Sequence, residues 1–193
     1  MFDRECEVVF YRTFAVEYLF GLVLSRFRDI CFHQNAMLMH STTRVPVDDS
    51  YAVLVGKAVY VFAYYEWSII WIIEFLQPGF VSRYSRGNPM TSGQVREELR
   101  AVIDNPGTNF TKVTKAELEF SCTGFEKLIV KRNALIHAHP CSDTDGSHIL
   151  TYQAKTTKPL PDMKWPKQEV EATTAEFDTA ACASGVILDR LRT

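Results

Sequence analysis

Residues 127–140 read KLIVKRNALIHAHP. Apolar residues dominate the first two-thirds, and Pro140 disfavours helical geometry at His139, so the stretch predicts the second half of a helix that stops near His137. Extended backwards over 112–138, the pattern sharpens. Leu118, Cys122, Phe125, Ile129 and Ile136 recur at steps of four and three, which is one apolar seam on a helix. Arg132 stands in that seam where an apolar residue is due. An arginine there must extend to water, meet a carboxylate, or face a cleft or second subunit. Asn133 and His137 are four apart and share the neighbouring face with Glu126 and Val130. The carbonyl dipoles exposed at a helix C-terminus also favour a cation at His137.

The rest of the chain extends this helical reading. Tyr51 to Gln77 predicts a long helix, entered through Asp48-Asp49-Ser50 and ended by Gln77-Pro78-Gly79. Residues 78–90 hold Pro, Gly, Ser and Asn and read as a loop. Thr91 or Ser92 caps a third helix to about Asp104. After the turn DNPGTN, a fourth starts near Thr111 and contains the opening stretch. Asp145-Gly146 marks a turn and HILTYQA, from His148, a strand, so a small β-hairpin is expected near 147–165. A last helix begins with Pro166 at its first position and runs to about Arg192. Its apolar face is Val170, Phe177, Ala181, Leu188 and Leu191. The predicted fold is all-α, a helical bundle with a minor β excursion.

Composition agrees. The 193 residues are 47% apolar, with 13 Phe, 8 Tyr and 3 Trp, enough for one well-packed domain. We assign 45–193 to that domain and 1–40 to an N-terminal apolar helix or extension, residues 6–30 being its apolar part. The acids in MFDRECEVVF oppose a signal peptide, so a cytoplasmic protein is expected. Residues 53–76 are long enough to span a bilayer but carry Lys57, Glu66 and Glu74, so no membrane insertion is expected. A net charge of −2 excludes coating nucleic acid by bulk charge and leaves room for a local basic cleft. The five cysteines are scattered without a CxxC pair, as suits reduced thiols.

On the helix at 51–77, Val59, Phe62, Ile70 and Ile73 share a face with Glu66 at its centre. Tyr60, Tyr64, Trp71 and Phe75 lie opposite. A glutamate so placed needs a cationic or hydrogen-bonding partner, and Arg132 is the candidate. His137-x-His139-x-Cys141 offers three metal ligands, but at a spacing unlike the usual zinc patterns. No P-loop, GxGxxG or serine-hydrolase elbow is present. No metal or cofactor is therefore expected.

Arg132-Asn133-Ala134-Leu135-Ile136-His137 resembles the Arg-x4-His signature of the HEPN superfamily, in the same setting near the end of a long helix in a small α-bundle. The helix order over residues 50–192 is similar too. The resemblance implies a metal-independent endoribonuclease working as a homodimer, with both motifs lining one cleft, plausible as a toxin or defence protein with an antitoxin or other protein partner. It implies His137 as general acid/base, Arg132 as phosphate clamp and Asn133 as an orienting or RNA-contacting group. Lys127 and Lys131 supply further positive charge beside them, with Arg83 and Arg86 as candidates from the loop. Glu66 joins from the helical wheel. The competing reading is a non-catalytic helical interaction or RNA-binding module, antitoxin-like or a scaffold. There Arg132 and His137 are structural, and Tyr60, Tyr64 and Trp71 face a partner.

Overall fold

Asp48 starts the first helix of the computed structural model, which describes residues 48–86, 90–153 and 162–193. The expected segment 1–40 lies outside the described residues. Those described belong to one unit, Val45–Thr193. The Asp48 carboxylate accepts from the Tyr51 N–H at 3.1 Å and the Ser50 hydroxyl at 2.6 Å, and lies 2.9 Å from the Lys167 ammonium. The Ser50 bond first, then Lys167 and the Tyr51 N–H, hold it well below the usual carboxylate range.

From this cap α1 runs Asp49–Leu76. Phe62, Tyr65, Ile69, Ile72 and Ile73 are buried, while Tyr60, Tyr64 and Phe75 reach the surface. Its apolar residues therefore do not all face the core. By length and mean hydropathy (1.3 in its best window) α1 would suit a membrane span, yet 39% of that window is buried within the bundle.

The segment 78–90, read as a loop, contains a short helix, α2 (Phe80–Arg86). The Glu74 carboxylate accepts from the Gly79 N–H at 3.0 Å and the Val81 N–H at 2.8 Å, supplying α2 with its first acceptors. Gly79 has φ +98, a turn that favours glycine. A cap several residues upstream, beyond a Pro-Gly pair, is not visible in local composition.

The next two helices start with reciprocal caps. In α3 (Ser92–Asp104) Thr91 and Gln94 form a capping box, and in α4 (Lys115–Ile136) Thr114 and Glu117 form another. That box puts the α4 start at Lys115 rather than near Thr111. Leu118, Cys122, Phe125 and Ile129 are buried as the seam requires, whereas Ile136, in the last turn, is 42% exposed.

Beyond α4 the chain forms a three-stranded antiparallel sheet, β1 (His139–Ser142), β2 (His148–Tyr152) and β3 (Met163–Trp165), in that spatial order. The expected hairpin is β2–β3, and β1 extends it, pairing His139 with Thr151 and Ser142 with His148. The Tyr51 hydroxyl donates to the Trp165 carbonyl at 2.6 Å and accepts from the Leu150 N–H at 3.0 Å, tying the sheet to α1.

The last helix, α5, spans Lys167–Arg192 with Pro166 at the N-cap, so it starts one residue later than expected. Val170, Phe177, Ala181, Leu188 and Leu191 are all buried. Phe62, Tyr65, Phe125 and Phe177, from α1, α4 and α5, meet at ring separations of 5.0–6.2 Å and form the aromatic centre of the core.

Two ion pairs fix α4 against α5: Glu117 with Arg190 at 2.7 Å, and Lys131 with Glu176 at 2.6 Å. The Arg190 bond first, then the Thr114 N–H and hydroxyl, hold the Glu117 carboxyl down to about 2 from its ordinary 4.5. A depressed folded pKa contributes stability above the unfolded value that is lost as pH falls through the folded one. Melting temperatures of wild type and Glu117→Gln should therefore differ at pH 7, approach each other between pH 4.5 and about 2, and coincide below. A constant difference over that window would show that Glu117 acts through packing rather than charge.

Candidate functional site at the end of α4

The Arg132 guanidinium turns toward α1. Its Cζ lies 5.5 Å from the centroid of the Phe62 ring, and Nη1 donates to the Asn133 Oδ1 at 2.9 Å. Phe62 is itself 1% exposed, set in the aromatic centre. The seam position sends the side chain inward, and the ring face accepts the delocalised cation as a carboxylate would. Asn133 is its one hydrogen-bond partner among the described residues. A guanidinium carries five N–H donors in a planar fork, so most of the fork remains open to an oxyanion.

Asn133 links both ends of the motif. Its side chain holds Arg132, and its backbone carbonyl accepts the His137 N–H at 3.0 Å. His137 is the C-cap of α4, at φ −95 and ψ 10, and is exposed. Ala138 closes the turn by donating to the Leu135 carbonyl, and the chain then enters β1. Local rules explain this ending: Pro140 bars helix at His139, so the last helical hydrogen bond falls on His137.

The remaining candidates separate from this group. Among the described residues no ion pair joins Glu66 to Arg132. Glu66 lies half-buried on α1, where burial first, then its charge, raises the Tyr84 phenol above its ordinary range. The expected Glu66–Arg132 partnership is replaced by Phe62 and Asn133. Lys131 is engaged with Glu176, and Arg83, now on α2, with Glu98 at 3.1 Å. Lys127 is exposed and has no ion pair among the described residues. Arg86 ends α2. His139 and Cys141 lie on the exposed strand β1. Among the described residues no three His, Cys, Asp or Glu side chains gather as a metal would require.

Phe62 is the residue that sequence reasoning missed. The wheel placed it on the core face of α1, beside the position of Glu66. The available signal was an arginine out of register with its seam, for which an aromatic face is as good a partner as an acid.

The group so formed can engage a phosphate through the open fork of Arg132 and move a proton through the exposed imidazole of His137. The described fold is mainly helical with a small antiparallel sheet. The chain matches no family model, no curated protein and no solved structure.

Proposed function

We propose that the protein is a metal-independent endoribonuclease of the HEPN kind. The observation that carries this reading is the Arg132 guanidinium, held by one hydrogen bond to the Asn133 side chain, close in sequence to an exposed His137 at the end of the same helix. In the reaction a ribose 2′-OH attacks the adjacent phosphorus and the bond to the 5′-oxygen breaks. One His137 takes the 2′-OH proton while His137 of the partner subunit protonates the departing oxygen. The products are a 2′,3′-cyclic phosphate and a 5′-hydroxyl end. Arg132 neutralises the charge gathering on the phosphate oxygens, held in orientation by Asn133 and Phe62. The homodimeric cleft, the cytoplasmic setting and a toxin or defence role belong to the same reading.

A second reading has its own support. Arg132 already has a ring face and a hydrogen bond within one protomer, as a structural arginine would. In that case the protein is a helical interaction or RNA-binding module. Incubating the purified full chain with total RNA in EDTA separates the two. The nuclease yields fragments ending in 2′,3′-cyclic phosphate. Intact RNA, bound or unbound, after prolonged incubation overturns the catalytic reading in favour of the module.

A further inference from the structure

The outer face of the α4–α5 pair carries exposed apolar residues that the described fold does not use. Phe120 on α4 is 81% exposed and Val186 on α5 is 60% exposed. The two flanking ion pairs, Glu117–Arg190 and Lys131–Glu176, share a single antiparallel register. That register sets Phe120 level with Ile187, one residue from Val186 on the neighbouring helix. One turn along α4 from Phe120 stands Gly124, which weakens a helix interior. Packing inside the protomer gives no reason for it, because an added Cβ there would meet nothing within 4 Å. Lys127, seven residues or two turns beyond Phe120 on the outer side, is exposed and has no ion pair among the described residues.

We infer that this face is a two-fold contact with a second copy of the chain. The pattern on α4 is self-complementary when two copies run antiparallel about the midpoint of Thr123 and Gly124. Phe120 of each copy then lies opposite Lys127 of the other, which places an unpaired ammonium over an exposed ring face. A parallel arrangement sets lysine against lysine. Thr123 and Gly124 fall at the axis, where small side chains let two helices approach closely. A foreign partner would have to bring both an apolar residue and an acid at this spacing, whereas a second copy already carries the matching ring. Two adjacent helices of this length, each about 10 Å wide and over about 30 Å long, offer about 600 Å2 in projection. That is the scale of the roughly 800 Å2 per partner in a standard interface.

This contact is separate from the catalytic cleft proposed above. Its axis lies about 20 Å along α4 from His137, so it holds whether or not the protein cuts RNA. A chain using both contacts assembles beyond a dimer.

Sedimentation equilibrium of the full chain at tens of micromolar tests the contact. Phe120→Glu should halve the mass while the protomer keeps its helical circular-dichroism spectrum, because so exposed a side chain contributes little to the protomer. Lys127→Glu should weaken association in the same direction. Thr123→Cys, at the axis, should form a disulfide-linked pair under mild oxidation well above the level of the wild-type chain. His137→Ala should leave the mass unaltered. A monomeric wild type, or Phe120→Glu with the wild-type mass and no added cross-linking by Thr123→Cys, would overturn the inference.

Discussion

His137→Ala is expected to slow RNA cleavage by about 10²–10⁴-fold, the usual range for removing a general acid or base. The melting temperature should move by no more than about 2 °C, since an exposed substitution away from a buried partner changes stability by about 0.5 kcal/mol or less. The exposed helix-end location of His137 makes this a clean experiment. Its backbone N–H holds the cap, and alanine keeps that bond to the Asn133 carbonyl. Gel-resolved cleavage of a labelled RNA gives the rate, and filter binding gives affinity on the same samples. Loss of cleavage with retained binding assigns a proton-transfer role. Arg132→Lys sharpens the assignment, because lysine keeps the charge but lacks the planar fork, and a loss of about 10²-fold or more is expected from that difference. Equal cleavage by wild type and His137→Ala would place any observed nuclease activity elsewhere in the sample.

Much of the frame behind this experiment was legible before the structure. Thr91 caps α3 as expected, while the Thr114–Glu117 box, just as local, sets the start of α4 at Lys115 where the expected start lay near Thr111. The stop before Pro140 was equally local. What stayed hidden depended on contacts across the chain. Glu74 caps α2 over a Pro-Gly break, and β1 exists because β2 offers a partner for a segment with little strand character of its own. On α1 periodicity said which residues are apolar but not which neighbours would cover them, so Tyr60 emerged exposed. The site divides the same way. Asn133 and His137 share a helix face by spacing alone, while the choice between Glu66 and Phe62 as the seat of Arg132 is settled by how α1 packs on α4. Both sat on the face of α1 that the wheel assigned inward, and a guanidinium accepts either partner.

The second large effect tests that seat. Phe62→Ala removes a ring that is 1% exposed and packed against Tyr65, Phe125 and Phe177. Such truncations cost about 3–5 kcal/mol, a large part of the roughly 5–15 kcal/mol that holds a typical domain together. Denaturant unfolding should show a clearly lower midpoint with an unchanged slope. This variant alone cannot separate the core from the site, because both lose the ring together. Phe62→Leu does so. It keeps most of the buried volume and so costs less than the alanine change, yet it removes the π face beneath the Arg132 guanidinium, a contact worth about 0.5–2 kcal/mol. If the ring orients the fork for phosphate, Phe62→Leu should lower RNA affinity or cleavage well beyond what its stability loss explains at a temperature where it remains folded. The deficit should vanish in the Arg132→Ala background, where there is no guanidinium left to orient. Wild-type RNA handling by Phe62→Leu would instead mean that the ring serves the core alone and that Asn133 by itself suffices to hold Arg132.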